Sequence, residues 1–327
     1  MPLKIVVYLL GIAGLALFIG LIAYGGFAEV ISAVAVAGWG LLWVTLFHLA
    51  PLVADSIAWS GLFAPRPRPP LHALLRIRWV GESVNNLLPA ARIGGELVRA
   101  RLATHSGVPG PAAGASVVVD LTMGLFTQII FASMGIVLLL ELGDVGGLGG
   151  NVMLGLALFA FLLLGFYLAQ GFGLFRFLAA TLSRLVGGRD WLSLVGGAAA
   201  LDDAIHAIYR GRRALLVAGG WRLFGWILGA GEVWLALYFL GHPVTVVEAF
   251  MLESLGQAVR TAAFAIPGAL GVQEGGYILL GALVGLGPEL SLALSLVKRV
   301  RELLLGVPGL IAWQITESRR LWSHRKA

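Results

Sequence analysis

Long apolar runs separated by short polar or glycine-rich breaks dominate the chain. Runs at 5–24, 38–62, 111–140, 151–170, 214–240 and 289–316 approach or exceed the ~20 residues with which a helix rising 1.5 Å per residue crosses a ~30 Å hydrocarbon layer. The pattern predicts an all-α polytopic membrane protein with about six full spans. The first run is read as a span and not as a signal peptide, because only Lys4 precedes it, its apolar stretch is too long and no small-residue cleavage site follows.

Two stretches depart from this pattern, 71–105 and 246–286. Each has a proline followed seven residues later by a glutamate, Pro89 to Glu96 and Pro267 to Glu274. A helix that breaks inside a bilayer exposes backbone groups, which is tolerated only where the break lines a cavity or packs within protein. The flanking arms are also too polar to face lipid as full spans. Glu82, Asn85, Asn86, Arg92, Glu96, Arg99 and Arg101 lie in the first, and Glu253, Gln257, Arg260, Gln273 and Glu274 in the second. Both stretches are therefore expected to be re-entrant hairpins that enter and leave on one side.

Composition agrees, with 59% of residues apolar and 12% charged. The distribution of the charge then orients the chain. Connections at 25–37, 141–150 and 241–248 contain no Lys or Arg, whereas Arg66, Arg68, Arg76 and Arg78, then Arg176, Arg184, Arg189, Arg210, Arg212 and Arg213, and finally Arg319, Arg320, Arg325 and Lys326 lie on the alternate ones. The positive-inside bias puts both termini in the cytoplasm. The net charge of +6 is thus expected to serve topology and contact with anionic lipids at that face, with no nucleic-acid partner. The absence of cysteine excludes disulfides and thiolate metal sites.

The two halves also match in order. Trp39 corresponds to Trp221, Pro89 to Pro267 and Pro111 to Pro288, at nearly constant offset. This predicts one membrane domain over 1–327, with repeat 1 at 38–140 and repeat 2 at 214–316, each a helix, a hairpin and a helix. Because the leading helices run in opposite directions, the repeats are inverted, the arrangement that places a transported substrate near the midplane. The linker at 171–213 is arginine-bearing and amphipathic, and is expected to lie along the cytoplasmic interface.

Charges within the spans carry the functional signal, since each costs at least ~2.5 kcal/mol on insertion scales unless it faces protein or water. Lys298, Arg299, Arg301 and Glu302 share roughly half the circumference of the last helix, and Lys298 and Glu302 have the i,i+4 spacing of an internal ion pair. The remaining cations require hairpin carboxylates or an anionic ligand. Glu253, Gln257 and Arg260 form one helical stripe, Glu82, Asn85 and Asn86 another, and Asp120 lies deep in the third span. These residues form either a substrate cavity or a salt-bridge network that holds the broken helices. His48 and Asp55, on one face of the second span around Pro51, are a candidate proton relay, against the alternative of a histidine packed at a kink. Glu232 in the fifth span is equally open. Asp202, Asp203 and His206 resemble a metal cluster but read as a solvated face. No metal site, cofactor or catalytic residue is expected, because nucleotide-binding glycine loops, HExxH and serine-nucleophile motifs are absent.

The segments RWVGESVNNLLPAARIGGELVRARLATHSGV and ESLGQAVRTAAFAIPGALGVQEGGYILLGALVGL resemble the two signature segments of the membrane domain of lysylphosphatidylglycerol synthases, a family of lipid flippases and free-standing relatives. AGWGLLWVTLFHLAPLVADSIAW and ASVVVDLTMGLFTQ more narrowly resemble the branch associated with hopanoid biosynthesis in bacteria. The resemblance spans nearly the whole chain. It implies a multi-pass protein of the bacterial inner membrane that moves lipids and does not make them. The site residues it implies are Gly94, Gly95, Glu96 and Arg99, and Pro267, Gly268, Gly271, Glu274 and Gly275. Unlike the full synthases, the chain ends shortly after its last span, so lysine transfer is not expected. The expected function is translocation of a hopanoid or related polar lipid, with aminoacylated phospholipid or lipid-linked sugar as other cargoes. A membrane-embedded headgroup enzyme and a scaffold for lipid synthesis are the rival classes. Self-association and lipid-synthesis partners are left open.

Overall fold

A computed structural model of the chain describes residues 19–20, 27–63, 68–88, 94–142, 168, 191–263 and 266–324. Among these, the regular secondary structure is all helical, joined by turns and short loops. Most of the runs at 5–24 and 151–170, together with Pro89, Arg92 and the first part of the 171–213 linker, lie outside the described residues.

The elements are α1 (Phe27–Ala37), α2 (Gly40–Phe47), α3 (Leu49–Ser60), α4 (Leu71–Leu87), α5 (Gly94–His105), α6 (Gly110–Leu142), α7 (Trp191–Arg210), α8 (Arg212–Phe239), α9 (Val246–Ala262), α10 (Val272–Ala282) and α11 (Pro288–His324), with a short 3₁₀ turn at Pro267–Ala269 between α9 and α10. The predicted span at 38–62 is α2 and α3 joined at His48, whose φ of −60° and ψ of −19° keep the chain helical through the junction. The arginine-free connection at 25–37 is largely the helix α1.

By length and composition, Gly40–Ser60, Gly110–Glu141 and Arg212–Phe239 are each able to cross a membrane. The chain is an all-α polytopic membrane protein. Helix α11 extends beyond the predicted 289–316, and its charges at 298–302 keep it from reading as a simple apolar span. Large apolar side chains face outward along the helices, with Trp39 83% and Leu216 77% exposed. In water such a surface would be costly, whereas in lipid it is the ordinary exterior.

Packing is reciprocal between the halves. Helix α3 lies against α8, while α4 packs on α11 as α9 packs on α6. Small residues allow these close approaches, as is usual where helix association in lipid depends on van der Waals contact. A Cβ on Gly309 of α11 would overlap Ser83 of α4, and one on Gly135 of α6 would overlap Ser254 of α9. Polar contacts repeat the scheme: Trp79 Nε1 donates to the Leu305 carbonyl at 2.8 Å, and Gln128 Nε2 to that of Gln257 at 3.0 Å.

Two larger apolar cores result, beside a small cluster of Ile136, Leu139, Met251 and Leu255. One gathers Val44, Val233, Leu237, Leu252, Leu290 and Leu294; the other gathers Trp59, Leu74, Ile77, Leu102, Val119 and Ala218. On α2–α3 the charged residues His48 and Asp55 fall between Val44 and Trp59, and on α8 Arg222 and Glu232 fall between Ala218 and Val233. Each helix thus supplies charge between its contributions to the two cores.

The described part of the linker, α7, packs on α6 and buries Ile205. Asp202 is only 1% exposed, so the solvated-face reading of Asp202, Asp203 and His206 is corrected for Asp202. His206 Nδ1 lies 2.7 Å from the Asp202 carbonyl oxygen, a contact within the helix.

Candidate functional site

Two ionic centres occupy the polar zone. The first joins α3, α4, α5, α6 and α8. Asp120 Oδ2 accepts from Arg99 Nη2 at 2.7 Å and Arg78 Nη1 at 3.1 Å. Asp55 Oδ2 accepts from Arg222 Nη1 at 2.6 Å and Arg78 Nη2 at 3.3 Å. Glu96 Oε2 takes the other side of Arg99 at 2.6 Å, and the Arg99 guanidinium lies 4.3 Å from the Trp59 ring centroid. Three arginines therefore meet three carboxylates in a closed set.

Glycine makes this geometry possible. A Cβ on Gly95 would overlap the Gly81 carbonyl, and one on Gly81 would sit 2.5 Å from the Arg99 side chain, so α4 and α5 touch backbone to backbone beneath the guanidinium. Gly95 N–H donates to Asn85 Oδ1 at 2.8 Å, satisfying a donor that the start of α5 leaves free. Gly94 opens that helix.

The second centre joins α2–α3, α4, α8, α9, α10 and α11. Glu274, at the third position of α10, accepts from Gly271 N–H at 2.7 Å through Oε2 and so caps its own helix. Its other oxygen accepts from Ser295 Oγ and Arg299 Nε, both at 2.9 Å. Arg299 also donates to the Gly268 carbonyl at 2.9 Å, tying α11 to the break. Gly268 and Gly271 have φ of +63° and +76°, the left-handed region in which a side chain is disfavoured. Gly275 N–H closes the first turn of α10 on the Gly271 carbonyl at 2.9 Å. Here the sequence-predicted glycines have distinct duties.

Glu302 Oε1 lies 2.5 Å from Arg260 Nη2, and Arg260 also donates to Asn86 at 3.3 Å, linking the two predicted hairpins. Lys298 pairs with Glu253, whose second oxygen accepts from Gln257 at 2.8 Å. Arg301 Nε lies 3.3 Å from Glu232 Oε1. His48 completes the centre, with Nδ1 2.7 Å from Glu232 Oε2 and Nε2 2.9 Å from Glu82 Oε1.

Four sequence readings change. Lys298 and Glu302 do not neutralise one another; each reaches a carboxylate or arginine on α9, because a buried charge pairs where carboxylates converge between helices. His48 and Asp55 share a helix face but serve different centres, since α8 offers Glu232 to one and Arg222 to the other. Of the hairpin carboxylates expected beside the α11 cations, Glu274 is there, while Glu96 belongs to the first centre. Arg78, counted with the positive connection, is buried and ion-paired. Arg222 and Gln128 were not singled out; a lone arginine inside an apolar run was the available signal for the former.

A small cavity of ≈ 10 Å³, room for one water-sized sphere, opens among His48, Glu82, Asn86, Arg301 and Glu302, with Leu52 and Leu305 on its apolar side. Lys298 and Glu274 do not line it and are buried, at 2% and 0% exposure. A larger apolar groove of ≈ 660 Å³ runs between α6 and α9, lined by Ile130, Met134, Val137, Val246 and Phe250 among others. Among the described residues, no three His, Asp or Glu side chains are grouped to hold a metal ion.

Comparison with known families matches residues 9–309 to the lysylphosphatidylglycerol synthase TM region. The chain belongs to that family. A search of curated proteins finds no match. Membership accounts for a membrane domain, which in this family is linked to lipid flipping or transport. The two broken segments and nearly all the ionic residues described fall inside the matched range, so the polar centres are part of the lysylphosphatidylglycerol synthase TM region itself.

Proposed function

We propose that the protein translocates a polar lipid across the bacterial inner membrane. The observation that carries this reading is the second ionic centre, where Arg260, Lys298, Arg299 and Arg301 meet Glu82, Glu232, Glu253, Glu274 and Glu302 beside a polar cavity and a broken helix. So many charges inside a spanning bundle are expensive for architecture alone, since apolar packing of similar volume is often neutral or better. As a binding site they gain a purpose: they exchange internal partners for a headgroup. The headgroup enters among Glu82, Asn86 and Arg301 while the apolar part stays in lipid, which removes most of the cost of drawing a polar group through hydrocarbon. The apolar groove between α6 and α9 offers a wall for that second part.

The narrower sequence resemblance supports a hopanoid or related polar lipid, with aminoacylated phospholipid and lipid-linked sugar as competing cargoes. Reconstituted vesicles carrying one short-chain fluorescent analogue of each class test this. Protein-dependent loss of outer-leaflet signal is expected for one class. Equal, protein-independent rates for all three would refute the translocase, and conversion of the headgroup would favour an enzyme.

The same reading takes 71–105 and 246–286 as re-entrant hairpins of two inverted repeats. The reciprocal packing of α4 on α11 and α9 on α6 supports it, as does the contact of α4 with the Pro267–Ala269 turn. Both termini and the linker then lie in the cytoplasm, with charged lipid headgroups against their arginines. Single cysteines in place of Ser183 and Gly147 are expected to label from opposite faces of intact membranes; labelling of both from outside would overturn the repeat.

A further inference from the structure

His48 is held by charge from every side of its ring. Glu82 reaches it from α4, Glu232 from α8 and Arg301 from α11, and Glu302 of α11 lines the same cavity. A ring nitrogen donates to a carboxylate only while it carries a hydrogen, and accepts from a guanidinium only while it carries a lone pair. Both nitrogens of His48 face a carboxylate oxygen, so the imidazolium satisfies both contacts. Arg301 Nη1 lies 2.8 and 3.0 Å from the same two nitrogens; nearly equidistant, it points along neither lone pair but is a short movement from whichever nitrogen loses its proton. The two protonation states thus have different partners within reach. Charge points the same way: the centre's four Arg and Lys side chains face five carboxylates, and an imidazolium supplies the missing positive charge.

We propose that His48 is a proton-binding site that couples lipid movement to a proton gradient, an inference that rests on the translocase reading. A water in the adjoining cavity takes up a proton from its own side of the membrane as it passes one to a ring nitrogen, and the new N–H donates to the facing carboxylate. The imidazolium then clamps Glu82 of α4 to Glu232 of α8. Return of that proton to water on the opposite side leaves a lone pair, breaks one carboxylate contact and lets Arg301 donate in its place. Glu82 is the more open of the two carboxylates, 34% exposed against 4%, so the α4 arm is the one released. Asp55 takes no part, being held by Arg78 and Arg222.

In reconstituted vesicles at clamped voltage, an imposed pH gradient is expected to change the rate of lipid translocation several-fold in the wild type. His48→Gln is expected to retain slow movement that ignores the gradient. Wild-type rates indifferent to the gradient, or full gradient dependence in His48→Gln, would overturn the proposal. Should that variant fail to fold, ring-¹⁵N histidine spectra decide, taken in lipid nanodiscs with the five other histidines replaced by Gln. The ring is expected to pass between doubly and singly protonated forms, with Glu82→Gln shifting it toward the neutral one; a ring fixed in one form from pH 4 to 10 would overturn the assignment. A wild type that moves no lipid refutes translocation, and the spectra then judge the proton site alone.

Discussion

The two ionic centres use the same residue types to different ends. In the first, three arginines pair with three carboxylates, and Asp120 at its middle is 1% exposed. In the second, the pairs spread over six helical units, a histidine joins them and a cavity opens at one side. A charge-balanced cluster fixes geometry. A centre with a titratable member and room for water can exchange partners. The difference teaches that intramembrane charge is not by itself a sign of transport, and that what matters is whether the charges have anywhere else to go.

The largest effect is expected from removing the anchor of the closed centre. Asp120→Leu strands Arg78 and Arg99 in the core, and losing one member of a buried pair costs about 3–5 kcal/mol. Loss of the monodisperse, folded protein in detergent is expected by size-exclusion and thermal-shift measurements; wild-type stability would make the first centre dispensable. Next in size, Gly309→Leu drives a side chain into Ser83 and forces α4 from α11. Overpacking of this kind costs about 1–3 kcal/mol, visible as a lowered melting temperature. An unchanged melting temperature would contradict the close approach. Smaller still, Gly268→Ala places a Cβ at φ +63° beside Arg299, at an expected cost of about 1 kcal/mol, with a transport defect larger than the stability loss. Transport that falls only in proportion to stability would make the break structural.

Much of this fold was legible in the pattern of apolar runs. Three predicted spans coincide with helices fit to cross a membrane, and the proline-to-glutamate spacing marked the break before Glu274, because glycine and proline set backbone angles locally. Pairing was less legible. The i,i+4 rule tied Lys298 to Glu302, yet it describes neighbours on one helix surface, and both side chains instead find partners on α9. Arg78 sat among arginines that mark a cytoplasmic connection, and only its ion pairs with Asp120 of α6 and Asp55 of α3 show it turned inward. The division of His48 from Asp55 depends on which residues α8 presents, and no spacing within α2–α3 encodes that.

If the second centre moves lipid while the first holds the fold, substitutions in the second stop transport without unfolding the protein. Glu274→Gln and Arg301→Gln are each reconstituted beside wild type, with folded, inserted protein matched by circular dichroism and protease protection, and leaflet exchange of the active lipid analogue is followed by quenching. At least a tenfold loss of exchange is expected in both variants, with the fold retained. Wild-type exchange in both would remove the second centre from lipid movement.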